Sequence, residues 1–232
     1  MSAPSAPSAP SAASAPSAPS APTLTERLRS STRAWHDRLE ATGFATAMIA
    51  GTLPLDRYVG QLAAYQVVLE VLEGELSRAT SLPVGSVWSA DLDKLALVES
   101  DVKYFADAPG AARAAAEAEA FVREIRATAV AESEGLLGIL YVMEGSTLGG
   151  LVLRPYVAKA YGLDATDGVA YYGSGDRGRW ADFTARLNGV LTEPGPQDRV
   201  LAAAQRAYEH IATITEALSM DLSVDLPTSD SP

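Results

Sequence analysis

The chain has 232 residues, with 29 acidic against 18 basic side chains, a net charge of −11 and a pI near 4.6. That balance excludes nucleic acid as a partner, because gripping phosphate needs a basic footprint. With no cysteine, disulfides, thiolate metal sites and a cysteine nucleophile are excluded as well. Hydrophobic residues make up 47%, ordinary for a globular core, and the text is rich in alanine and leucine with few β-branched runs. No uncharged apolar run reaches the roughly 18 residues a membrane span needs, and the N-terminus lacks a basic then apolar leader. The expectation is a cytoplasmic, all-α protein without a membrane partner.

In chain order, residues 1–22 form a Ser/Ala/Pro tract expected to be disordered, since proline at every third position favours extended conformers without internal hydrogen bonds. One helical domain is expected over 23–221, with a flexible tail over 222–232. Thr23-Leu-Thr-Glu26 has capping-box spacing and starts a first helix that stops before Gly43. A second start lies at Thr52-Leu-Pro54. From there Leu55, Tyr58, Leu62, Tyr65, Leu69, Leu72 and Leu76 follow steps of three and four, the signature of a half-buried helix. Pro83 ends that segment or follows its end. Further helices are expected over 90–107 and 110–132. Another starts near Glu134, running past Pro155 with a kink or restart there, and two more cover 178–192 and 197–219. The glycine-dense stretch 162–178 reads as a loop; without Gly-Lys-Ser/Thr it is not a Walker phosphate loop.

The most unusual stretch is Gly138 to Leu153, apolar enough for a buried helix yet carrying Gly138, Gly145, Gly149 and Gly150. A glycine inside a helix costs about 0.5–1 kcal/mol against alanine. Positions 138, 145 and 149 differ by seven and four, so they share a face, and Gly149-Gly150 offers a place to bend. Two readings stand: a bare backbone approached by a large flat ligand, or a small-residue seam for close helix packing. Glu144 within this stretch is either solvated or an arginine's partner.

Only two histidines are present, His36 and His210. On the first helix Arg29, Arg33, His36 and Glu40 share a face. A neutral imidazole is a good iron ligand whose second N–H goes to a carboxylate, the place Glu40 occupies, and arginines suit bidentate carboxylates. That face fits a ligand that is both metal centre and dianion; it equally fits an exposed charge ladder. His210, Trp35, Tyr58, Tyr65 and Tyr141 read as structural.

Together, Thr32-Arg-x-x-His36-x-x-Leu-Glu40 and Tyr141-Val-Met-Glu-Gly-Ser-Thr-Leu-Gly-Gly150 resemble the heme oxygenases, most of all the bacterial, biliverdin-producing branch associated with bacteriophytochromes. The resemblance covers roughly 24–219. It implies a helical bundle holding heme, as cofactor and substrate, between the first helix and the kinked glycine helix. His36 would ligate the iron, with Glu40 near its other nitrogen. Gly145, Ser146 and Gly149 would form the catalytic distal segment, and Arg29, Arg33 and Gly150 would contact the cofactor. The implied reaction is O2- and electron-dependent cleavage of heme to biliverdin, carbon monoxide and iron, fed by a ferredoxin or flavin-reductase type donor. The other reading on the same fold is a heme-binding protein that stores, senses or delivers heme without cleaving it. Ser146 stands where some members have an aspartate that organises distal waters. Trp180 and Thr184 stand where a second basic propionate anchor was sought, leaving Arg177, Arg179 or Arg186 for that role.

Overall fold

A computed structural model describes residues 21–164 and 166–222. The expectations for the tract up to Ser20 and for the tail from Ser223 lie outside these residues. Helix α1 (Leu24–Glu40) begins at the capping box: Thr23 Oγ1 accepts from the Glu26 amide, and Glu26 Oε2 accepts from the Thr23 amide at 2.7 Å. These bonds satisfy donors that a helix start otherwise leaves unpaired. Leu24, Leu28 and Thr32 form its buried side.

A short helix, α2 (Gly43–Ala50), follows, which the sequence reading had missed. Thr42 caps it through its side chain, Gly51 ends it in the left-handed region at φ 71°, and the Phe44 amide donates to Ser219 Oγ at 3.0 Å. Helix α3 (Leu55–Arg78) starts after Pro54 as expected, and Tyr58, Leu62, Tyr65, Leu69, Leu72 and Leu76 are buried on the anticipated stripe. It ends at Arg78, and Pro83 follows that end, in the first turn of α4 (Leu82–Val87), where a proline's missing N–H costs nothing. The segment 90–107 is divided into a 3-10 turn (Ala90–Leu92) and α5 (Leu95–Tyr104). The division is set from α3, whose Glu73 Oε1 accepts from the Lys94 and Leu95 amides at 2.7 and 3.0 Å.

Helix α6 (Ala115–Ala131) begins later than 110, since Gly110 at φ 120° holds the chain non-helical against the Asp56 backbone. Helix α7 (Leu136–Tyr161) passes through Pro155 without restarting. The loop 162–176 leads to α8 (Arg177–Val190) and then α9 (Pro194–Ser219). Among the described residues no strand forms. Helix α9 packs on α7, α1, α6 and α3, and α3 packs on α5 and α6, so α3, α7 and α9 are the centre of the bundle. The segment Ser133–Tyr161 is long and apolar enough to cross a membrane by composition, but 61% of its apolar window is buried within the bundle. Its composition answers to that core position.

Candidate functional site

Helix α7 uses its glycines in two ways. A Cβ built on Gly138 would lie 2.1 Å from the Val200 carbonyl oxygen and 2.9 Å from the Ala204 amide, both on α9. Only glycine allows that approach, so Gly138 belongs to the packing reading. At Gly149, about one turn past Gly145, a Cβ would meet no atom of a neighbouring element within 4 Å. At Gly145 it would come 3.3 Å from the Trp180 ring, and at Gly150 3.1 Å from the Tyr172 carbonyl.

Gly145, Ser146, Gly149 and Gly150 border a cavity of about 660 Å³, within the usual range for a small-molecule or cofactor site. Its opposite wall is α1, with Arg29, His36, Leu39 and Glu40. Helix α2 closes a side with Phe44, Ala45, Met48 and Ile49, and α9 contributes Tyr208, Ile211 and Thr215. The lining is largely apolar. His36 Nδ1 lies 3.6 Å from Glu40 Oε1, one turn on, and the imidazole is 59% exposed. This pairing leaves the other ring nitrogen for a ligand-bearing metal. Asp37 is close enough that the three donor atoms lie within 4.8 Å of one another.

The two arginines of the α1 face separate. Arg29 lines the cavity, close enough to Tyr141 to favour that phenol's charged form against its burial. Arg33 is 84% exposed, sits 4.0 Å from Asp37, and is not among the lining residues. Two of the three candidates for a second carboxylate anchor are engaged elsewhere. Arg179 Nε donates to Glu144 Oε1 at 2.7 Å and its Nη2 to the Ser174 carbonyl at 2.6 Å. Arg186 bonds Ser89 and pairs with Asp91, and Arg177 is exposed at the start of α8.

Glu144 is an arginine's partner and is fully buried. Lys94 Nζ approaches its other oxygen at 3.0 Å while donating to the Leu92 carbonyl at 2.8 Å. Burial pushes the Lys94 ammonium below the usual lysine range, with the Glu144 charge opposing. This cluster ties the first turn of α8 and the Lys94 corner to the residue just before Gly145. His210 is structural, as expected: its ring stacks on Phe121 at 5.0 Å and 9°, and burial lowers its pKa. Tyr58 is core, its hydroxyl donating to the Gly168 carbonyl at 2.7 Å. Trp35, half-buried, carries Arg38 over its ring at 5.3 Å. Tyr65 and Tyr141 depart from the purely structural reading, being both buried and on the cavity wall.

Sequence reasoning missed Gln61, Tyr171, Tyr172 and Tyr208 on that wall. Tyr171 and Tyr172 belong to the loop, which is held from below by the buried Asp101. Its carboxylate accepts from the Ala170 and Tyr171 amides, each at 2.8 Å. The available signal was a pair of aromatics inside a glycine-dense loop; such residues need a fixed surface to lie on. Burial raises the pKa of Tyr65 and of Tyr208 to about 12, and pushes Tyr171 and Tyr172 further up. All four are neutral proton carriers at any ordinary pH.

A helical bundle that frames a cavity of this size with an imidazole, a carboxylate and bare helix backbone has the make-up of a small-molecule site. The family model for heme oxygenase matches residues 22–217, and the chain belongs to that family. Mouse heme oxygenase 2 is 24% identical over 197 residues, which are 81% of this chain and 62% of the mouse protein, so the chain spans less than two thirds of that relative. The fold is similar to heme oxygenase from Leptospira interrogans, with a TM-score of 0.75 at 22% identity, covering 84% of this chain and 98% of that one. It is likewise similar to heme oxygenase-1 of the cyanobacterium Synechocystis, solved in complex with heme, with a TM-score of 0.74 at 20% identity, covering 84% and 90%.

Proposed function

We propose that the protein is a heme-degrading monooxygenase that converts heme to biliverdin, carbon monoxide and iron. The observation that carries this reading is the convergence of His36–Glu40 and the open backbone at Gly149 on one apolar cavity. The cavity's residues suit heme: an imidazole for iron, a guanidinium for a carboxylate, and flat apolar walls for a macrocycle. Bound heme supplies the redox chemistry, with O2 and electrons from a ferredoxin or flavin-reductase type carrier.

The chain's own residues do the rest. His36 would hold the iron through the nitrogen turned away from Glu40, and Glu40 would fix the ring's orientation by accepting the second N–H. An imidazole ligand would lack the electron push that a thiolate gives the iron. Arg29 pairs with one carboxylate. Gly145 and Gly149 keep side-chain bulk from the face opposite His36, and Phe44, Met48 and Ile211 exclude water. The proposed setting is the cytoplasm, where reduced carriers are available.

The second reading, a heme carrier or sensor, draws on two observations: Ser146 in place of a carboxylate, and Arg29 as the cation among the lining residues. An absorption time course separates the two. The protein is reconstituted with hemin and supplied with ascorbate or a reductase system in air. Decay of the Soret band with growth of a red bilin band supports the oxygenase; a persistent Soret complex supports the carrier; no complex overturns both. His36→Ala abolishes bilin formation, and full turnover by that variant would remove the ligand assignment.

A further inference from the structure

The glycine side of the cavity carries four hydroxyls in one patch, from Ser146, Tyr65, Tyr171 and Tyr172, together with the Gln61 amide. Their hydrogen-bond directions are not equivalent. Ser146 Oγ donates to the Met143 carbonyl at 2.8 Å, so its proton is committed to its own helix. The Tyr172 hydroxyl donates to Gln61 Oε1, so its proton is committed too. Among the described residues the Tyr171 hydroxyl has one hydrogen-bond contact, Ser146 Oγ, at 3.5 Å. With Ser146's own proton on Met143, the Tyr171 O–H is the donor across this contact; at that length the bond is weak, so it aligns the phenol while leaving its proton easily released. Ser146 directly follows Gly145, so this hydroxyl lies against the glycine segment.

The ring itself is firmly placed. Asp101 holds the Tyr171 amide at 2.8 Å, and the Tyr65 ring meets the Tyr171 ring edge-on at 5.6 Å.

We propose that Tyr171 is the catalytic proton donor of the glycine face, aligned by Ser146, in the role a distal carboxylate would otherwise serve. The inference rests on the heme-oxygenase reading. In the transfer, the Tyr171 O–H bond breaks as an O–H bond forms on an oxygen held against the Gly145–Gly149 face. The phenol oxygen takes a proton back from cavity water, so the tyrosine is unchanged and solvent is the net source. No phenolate accumulates, because burial makes that state unfavourable. Tyr65, whose ring meets Tyr171 edge-on, is a further hydroxyl on the same wall.

The test uses the full chain with hemin and compares Tyr171→Phe, which keeps the ring and its packing, with Ser146→Ala. Three quantities are measured: hemin affinity, the pH midpoint of the acid–alkaline change in the ferric complex's absorption spectrum, and the rate of bilin formation. A donor aimed at that face stabilises the deprotonated form of an oxygen ligand. Tyr171→Phe is therefore expected to raise the midpoint by about half a pH unit or more, and to slow bilin formation at least about tenfold. Hemin affinity should stay within about twofold, since no contact to the ring or its carboxylates is lost. Ser146→Ala shifts the midpoint in the same direction by less. An unmoved midpoint with an unchanged rate in Tyr171→Phe would overturn the assignment while leaving the oxygenase reading intact. So would the whole effect appearing in Ser146→Ala alone. Failure of the unmodified protein to bind hemin would overturn both.

Discussion

The two halves of α7 make an instructive pair. From Leu136 to Met143 every residue is buried, and Gly138 brings the helix into backbone contact with α9. From Gly145 to Leu153 the same helix borders a cavity, and Gly149 faces open space. Glu144 stands between them, holding Lys94 and Arg179 in the interior. One residue type thus serves opposite ends: absence of a side chain permits contact in one half and preserves space in the other. Spacing along a helix shows a shared face, but what lies opposite that face is decided by the partner.

The largest effect expected is at the junction. Glu144→Gln leaves two cations in the interior without their counter-charge, and should lower unfolding free energy by about 3–5 kcal/mol, measured by urea denaturation. If stability is unchanged, the cluster does not hold the halves together. Next comes Gly138→Ala, which forces α7 and α9 apart at a backbone contact and should cost about 3 kcal/mol, at the upper end of overpacking effects.

Gly149→Ala is the contrasting substitution. It should leave stability unchanged or raise it by about 0.5–1 kcal/mol through helix propensity, while weakening hemin binding in an absorbance titration. Equal destabilisation by the two alanine substitutions would break the comparison.

The smallest effect lies in the packed region, at His210. Its folded pKa is lowered from 6.5 by burial. Below pH 6.5 the unfolded chain therefore binds more protons, and this contribution to stability, full above 6.5, is lost as pH falls towards the folded value. His210→Phe, which keeps a ring on Phe121, should flatten the Tm-versus-pH curve between about pH 5 and 6.5. An unaltered slope would place the titration elsewhere.

Much of this was legible beforehand because it is local. The capping box of α1 and the stripe of α3 use neighbours within one or two turns, so spacing alone reveals them. Helix α2 was invisible for a related reason: Gly43–Ala50 is apolar but for Thr46, with Phe44 and Met48 buried and Ala45 and Ile49 joining them on the cavity wall, so no stripe marks it. The start of α5 depends on Glu73, some twenty residues away. Of the site, the His36–Glu40 pair, Arg29 and the glycine segment could be read from composition and spacing. Arg33 could not be told from Arg29, because both occupy the same helical face and only the surrounding helices decide which meets the cavity.

The sequence by itself determined the helical class, the main helix stripes and the two motifs that face each other across the cavity. Periodicity and capping are written in residues that touch along one helix. Tertiary structure alone decided that Gly138 packs while Gly149 stays open, that Glu144 is sealed between two cations, and that Tyr171 reaches the glycine face from a loop. Each of those outcomes depends on groups brought together from distant parts of the chain, and no spacing rule encodes which groups those are.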